Sequence, residues 1–430
     1  MKYNMMMCTK SKYLLLILSS FLFVSLLQAQ EKPRVIVSSD IGGTDDDDFQ
    51  SMIHYLMYAD RFQTEGLISS PFGPGRKSDI LHIIDLYEKD YRKLAAKSPG
   101  FPLADELRAV TKQGGISRAP LKGWTTSSEG SSWIVQCAKK DSDQPLWVLV
   151  WGGLEDMAQA LHDAPEIADK LRVYWIGGPN KKWSANAYQY IATNFPNLWM
   201  IEANATYRGW FVDDKSDKAT NVNNFHEAFI KGKGAMGRDF INYYGGRIKM
   251  GDTPSVAYLL HGDPNNPAGQ NWGGSFEPIS HSSYRLFTAN TTLKDTVPTF
   301  SLMEWEFEGG EIVLHPDSSC FVVEIAKQEF EGYYKGSGRY AVRFVTKSAG
   351  NWNYRIKSEL PELDGQAGAF VSADPWPGKY QNGDIPELTN WWSDKPDIED
   401  FTDGHQGANT IYRFQEEFLM DWAERWKWLE

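Results

Sequence analysis

"RVIVSSDIGGTDDDDFQSMIHYL", residues 34–56, decides how the rest of the chain is read. "RVIVSSD" is a short β-branched run with the character of a strand. "DDFQSMIHYLMYA", from Asp47, carries Met52, Leu56 and Met57 at helical spacing. Between them lies a Gly-Gly turn, so Asp40 at the strand end is brought toward Asp47 and Asp48 at the helix start. Acidic residues in a first helical turn are favoured by about 0.3–1 kcal/mol each, which accounts for Asp47 and Asp48 as a solvated turn. It does not account for Asp40. A hard cation does: calcium takes about six to eight oxygens from carboxylates, carbonyls and water. The spacing is not that of an EF-hand loop, so such a site would draw its other ligands from distant segments.

The segments that follow repeat the alternation. "TEGLISS", "PLWVLVW", "RVYWIGG" and "NLWMIEA" read as strands, and "SDILHIIDLYEKDYRKL" and "DMAQALHDAPEIADKL" as helices. The pattern predicts an α/β fold, a parallel Rossmann-like sheet with helices on both faces. Ligands of such sheets bind beyond the carboxyl ends of the strands. Asp40, Ser69, Trp151, Gly177 and Glu202 fall at or near those ends and are expected to share one rim.

After about residue 295 the texture changes. "MEWEFEGGEIVL", "CFVVEIAK", "RYAVRFVTK" and "NWNYRIKS" are short alternating strands with Gly-containing turns, which predicts a β-sandwich. From residue 374, "DPWPGKYQNGDIPELTNWW" reads as a Pro- and Trp-rich loop. "TIYRFQEEFLMDWAERWKWL" closes the chain as a helix whose wide apolar stripe belongs on the first domain. The expected organisation is an α/β domain over 33–295, an inserted sandwich over 296–373, and a returning loop and helix over 374–430.

The first 29 residues stand apart. Lys2, Lys10 and Lys12 precede the apolar "YLLLILSSFLFVSLL", and "QAQ" follows, the order of a secretory signal peptide cut near Ala29. The mature protein is therefore expected to be exported. Without the three leader lysines, 41 basic residues face 56 acidic ones, a net charge of −15. That acidity argues against nucleic acid and anionic membranes, and leaves neutral and cationic ligands open. Cys137 and Cys320 fall in different predicted domains and are expected as free thiols.

The opening motif is similar to the N-terminal aspartate motif of the inosine-uridine nucleoside hydrolases. "EGLISS", "WGGLEDMAQAL", "YWIGGPN", "IEANATYRGWF", "GDTPSVAYLL" and "NWGGSFEP" resemble, in order, a branch of that superfamily: the nucleoside hydrolase-like domain of secreted bacterial proteins labelled cellulose-binding. The likeness spans about residues 33 to 280 and the closing helix. It implies Ca2+ held by Asp40, Asp47, Asp48, the backbone carbonyl of Trp151, and Asp252 of "GDTPS". Because the turn holds extra residues, Asp45 or Asp46 is an alternative to one of the paired aspartates. Asp40 would also serve as general base toward a calcium-bound water in an inverting cleavage. Glu202 and Asn204 resemble a Glu-x-Asn pair that contacts sugar hydroxyls. Two positions depart from the pattern. Gly251 stands where many of these enzymes have a histidine near the leaving base, and "LISSPFG" lacks their ribose-contacting Asn.

The resemblance thus implies a hydrolase of glycosidic or N-glycosidic bonds acting on a carbohydrate or glycoside, with nucleosides disfavoured. The competing reading is a carbohydrate-binding protein on the same fold. Trp272, in "GQNWGGS", either stacks on a sugar or caps the core, and His54 is expected to pack rather than react. "GYYKGSGRYAVRFVTKSAGNWNYRIKS" resembles the immunoglobulin-like domain at the N-terminus of many bacterial glycosidases, which implies an accessory role. The sequence leaves oligomerisation open.

Overall fold

The computed structural model describes residues 31–281, 284–376 and 386–430; the leader lies outside the described residues. Six parallel strands come from the first half: β1 (Arg34–Ser39), β2 (Gln63–Ser69), β3 (Thr111–Gln113), β4 (Leu146–Val150), β5 (Leu171–Ile176) and β6 (Trp199–Ala203). Two late strands complete the sheet: β7 (Phe276–Pro278) and β16 (Trp391–Asp394), in the order β3-β2-β1-β4-β5-β6-β16-β7. Only β7 runs antiparallel. Every residue of β1 and β4 is buried, as expected of strands covered on both faces.

Alternation along the strands feeds two cores. Val35 and Val37 of β1, with Trp147 and Leu149 of β4, face the core built by α1 (Asp47–Met57) and α2 (Lys77–Lys97). Ile36, Val148 and Val150 face the opposite core. There they meet Ile134 of α3 (Glu129–Ala138), Met157 and Leu161 of α4 (Glu155–Asp163), and Ile191. The predicted helix "DMAQALHDAPEIADKL" stops at Asp163: Pro165 has no N–H to continue it, and a 3-10 turn over Pro165–Lys170 follows. The sheet order reverses between β1 and β4, whose carboxyl ends are level, with Ser38 beside Val150. That switch point is where such sheets open a crevice.

The remaining strands form a separate β domain. β8 (Tyr284–Phe287), β9 (Thr296–Pro298), β10 (Leu302–Glu308), β11 (Ser319–Ile325), β12 (Gln328–Gly336), β13 (Arg339–Val345), β14 (Gly350–Ser358) and β15 (Ala367–Ala373) pair in the order β8-β10-β13-β12-β11-β14-β15-β9. Trp305 of β10 and Phe370 of β15 stand far apart in that ladder, yet their ring centroids are 5.6 Å apart. The sheet therefore folds over its own core. β8 pairs with β10, so the second sheet recruits chain from before residue 296. In "MEWEFEGGEIVL" the strand ends at Glu308, before the two glycines.

The "WW" of "NWW", expected as loop, begins β16, which pairs with β6 through Trp391 and Met200. The closing helix α5 (Gln415–Trp426) packs Phe418, Leu419, Trp422 and Trp426 into the first core. Cys137 is buried and Cys320 half-buried, both as free thiols. No described helix is long and apolar enough to cross a membrane.

Candidate functional site

β1 ends at Ser39, and the chain turns sharply enough that the Gly43 N–H donates to the Asp40 carbonyl at 2.9 Å. A Cβ on Gly43 would come within 2.6 Å of that oxygen, so the tight turn needs glycine here. α1 then starts at Asp47, with Asp47 and Asp48 in its first turn. From the far end of the domain, Asp252 stands at the N-terminus of a short helix, Thr253–Ala257, without a side-chain capping bond. One carboxylate oxygen from each of Asp47, Asp48 and Asp252 lies within 4.8 Å of the others, and all three residues are buried. Asp40 stands beside this trio, its carboxyl in hydrogen-bonding contact with Asp48.

Such a cluster cannot remain fully ionised alone. At 4.8 Å and an effective dielectric near 20, each pair of carboxylates repels by roughly 3–4 kcal/mol. Burial, followed by the neighbouring acids, raises Asp40 to about 7 and Asp47 to about 8. The same causes raise Asp48 and Asp252 well above the ordinary carboxylate range. A hydrogen bond between the Asp40 and Asp48 carboxyls requires a proton held between them. One cation is built in: Lys249 pairs with Asp45 and lies 3.4 Å from Asp47 Oδ1. Asp48 accepts from the Ser39 hydroxyl at 2.6 Å, and Asp47 from the Gly251 N–H at 3.0 Å. Asp40, Asp48 and Asp252 have no cation of their own within ion-pair distance among the described residues. A buried set of acid oxygens, short of positive charge and rich in hard donors, fits a divalent cation such as calcium.

The structure does not place all the expected site residues together. Asp45 is exposed and engaged by Lys249, and Asp46 is exposed at the helix cap, so the carboxylates facing Asp252 are Asp47 and Asp48. Trp151 lines the cavity, and its carbonyl accepts from Asn180 Nδ2 at 2.9 Å, which leaves its second lone pair open. Glu202 does not reach the cavity. Its carboxylate is fully buried and consumed by Lys181 Nζ at 2.5 Å, the Tyr188 hydroxyl at 2.7 Å and Asn204 Nδ2 at 2.8 Å. Asn204 lines a smaller adjoining hollow, with its Oδ1 buried and unpaired. Trp272 is also away from the cavity: it stacks on His261 at 4.7 Å and belongs to the first core. His54 is packed among Tyr58, Trp210 and Trp422.

Above the aspartates opens a cavity of about 630 Å³, within the range of small-molecule sites. Phe72, Trp183, Tyr207 and Phe211 supply aromatic surface, and Gln328 and Lys347 reach it from the β domain. The sequence reading missed Lys249 and these second-domain groups. Lys249 alone carried a local signal, three residues before Asp252. Position 251 offers no side chain to the cluster: a Cβ there would lie 2.5 Å from Asp47 Oδ2.

Comparison with one solved structure supports the fold. A nucleoside hydrolase-related hypothetical protein from Saccharophagus degradans, described as associated with carbohydrate metabolism, aligns at 19% identity. The alignment covers 80% of this chain and 99% of that one, with a TM-score of 0.50. The inosine-uridine preferring nucleoside hydrolase from Bacillus anthracis aligns at 13% identity over 80% and 95% of the two chains, with a TM-score of 0.35. A putative glycoside hydrolase from Bacteroides vulgatus is 26% identical over 20% of this chain and 17% of its own, with a TM-score of 0.18. No curated protein matches the chain. Residues 296–359 match a domain family of unknown function, DUF5060. Residues 34–276, more than half the chain, match the family described as cellulose-binding Sde182, nucleoside hydrolase-like domain, and the protein belongs to that family.

Proposed function

We propose that the chain is an exported, calcium-dependent hydrolase that cleaves a glycosidic or N-glycosidic bond with inversion, taking a carbohydrate or glycoside into the cavity above Asp40. The observation that carries this reading is the buried trio Asp47, Asp48 and Asp252 with Asp40 against it, at the sheet's switch point and open to a cavity. Calcium, when bound, supplies a fixed positive charge that orients water and makes it more acidic. Asp47, Asp48 and Asp252, with Asp40 beside them, would hold that charge in place. Asp40, kept ionised by it, would accept the proton from the attacking water as the glycosidic bond breaks through an oxocarbenium-like state, the leaving group departing with the bonding electron pair and taking a proton from solvent. The leader over residues 1–29 supports export.

One observation favours a second reading, a non-catalytic carbohydrate-binding protein on the same fold. Gly251 offers only its backbone N–H, to Asp47, where a leaving-group acid would stand. Asp40→Asn separates the two. The amide oxygen can still coordinate a cation but takes up no proton, so the variant should keep its fold and sugar affinity. Turnover should fall by roughly 10²–10⁴, the usual contribution of a positioned base. Affinity and hydrolysis are to be measured on glycan and nucleoside panels, with calcium and with chelator. Calcium should also raise the melting temperature, because only the folded state presents the site. Tight sugar binding with no wild-type turnover on any panel member gives the case to the binder.

A further inference from the structure

The cavity also carries charge of the opposite sign. Arg118, Lys182, Arg208, Lys249 and Lys347 all line it, in a chain whose net charge is −12. Lys249 is taken up by Asp45 and Asp47. The other four make no ion pair with any carboxylate of the described residues. Two of them lie over one aromatic ring: the Arg118 guanidinium is 4.0 Å and the Lys182 ammonium 4.3 Å from the Trp183 centroid. Lys182 donates to Gln328 Oε1 at 2.6 Å, which leaves its charge uncompensated. Burial, then Lys347 and Arg118, lowers Lys182 to about 8, so these cations feel one another. Glu331 and Glu155 lie near Arg118 without pairing with it. Glu155 accepts from the Ser184 hydroxyl and Glu331 from the Tyr333 hydroxyl.

These cations come from separate places: a loop before α3, the helix Gly178–Trp183, the turn after β6, and the β domain. Gathering like charges in a half-closed cavity costs free energy unless a partner of opposite charge arrives. The acidic trio does not supply it, since Lys249 is its only ion-paired neighbour among the described residues. We propose that the cavity takes an anionic glycan, a sugar bearing carboxylate or sulfate groups, with its charge against Arg118, Lys182, Arg208 and Lys347 and its sugar backbone over the aspartates. This rests on the reading that a sugar occupies the cavity, and it reverses the ligand charge that the chain's overall acidity suggests. The β domain thereby becomes part of the site, through Lys347 and Gln328.

The test is titration calorimetry on the mature chain with three oligosaccharides of equal length: unsubstituted, built of uronic acids, and sulfated. Each is measured in calcium and in chelator, at low and high salt. One or both charged probes should bind about tenfold more tightly than the neutral one, with the advantage shrinking as salt screens the wall. Their relative affinity tells carboxylate from sulfate. Lys347→Ala, at an exposed position, should weaken charged probes roughly three- to tenfold and leave the neutral one unchanged. Lys182→Gln is the second variant, in case the first contact is peripheral. Equal affinity for charged and neutral probes overturns the proposal. So does binding of neither charged probe, insensitivity to both substitutions, or charged-probe binding only in calcium, which would put the anion on the metal. Charged binding that passes these tests, with no turnover in any condition, would sink the hydrolase reading and leave this one standing. Calcium-dependent turnover of a neutral glycoside, with equal affinities, would do the reverse.

Discussion

Lys181 and Glu202 are both fully buried and sit 2.5 Å apart. The lysine also lies 4.1 Å from the Tyr188 ring and 4.6 Å from Trp376, so its charge has no route to water. This pair joins the helix Gly178–Trp183 to the end of β6 and fixes the rim without touching the cavity. Breaking one half of a buried pair typically costs about 3–5 kcal/mol, because the other charge is stranded. Glu202→Gln should therefore destabilise the protein by that amount in urea unfolding, while ligand affinity in the surviving folded fraction stays unchanged. A loss of affinity at full stability would restore Glu202 as a sugar contact. The Glu-x-Asn spacing was visible in the sequence, but spacing does not say what a strand's side chain meets. Lys181, 21 residues earlier, decided that.

The elements show the same division. β1 and α1 were legible from the 34–56 stretch because hydrophobic pattern, glycine turn and acidic first turn all agree. β16 was not: it has four residues in a Pro- and Trp-rich context, and its extended form is set by pairing with β6. The cavity cations were equally illegible, since each comes from a different segment with no local motif. α1 and α5 meet through His54, whose ring lies 5.3 Å from Trp422 and 5.7 Å from Trp210. Burial, with Arg425 nearby, lowers His54 to about 3. The unfolded chain therefore binds a proton here between pH 6.5 and 3 that the folded chain refuses. Stability contributed at this site is intact above pH 6.5 and declines as pH falls, by about 1.4 kcal/mol per unit. His54→Phe should flatten the decline in unfolding free energy between pH 6.5 and 4.5, measured in chelator. An unaltered slope would assign the acid sensitivity to other groups.

At the scale of the whole molecule, the two domains share a core. Leu302, Phe300 and Val345 from the second half are buried in the same cluster as Leu171, Ile191 and Trp391 of the α/β domain. Trp183 stacks on Phe330 at 5.1 Å, and Arg343 donates to the Leu121 carbonyl at 2.7 Å. The Lys122 N–H donates to Asp317 Oδ1 at 3.0 Å. Apolar burial of this kind, unlike a polar and easily separated junction, couples folding across the boundary. The mature chain should therefore unfold in one calorimetric transition, with its calorimetric and van't Hoff enthalpies in agreement. Leu302→Ala removes a fully buried side chain of β10 and should cost about 2–5 kcal/mol, moving that single transition as a unit. Two separable transitions, only one of them shifted by the substitution, would show that the β domain folds on its own. The coupling matters to the site because Lys347 and Gln328 line the same cavity as the aspartates only while this junction is closed. Leu302→Ala should therefore weaken charged-glycan binding at temperatures below its melting point only if the junction opens locally before the fold is lost. Hydrogen exchange at β13 would detect that opening directly.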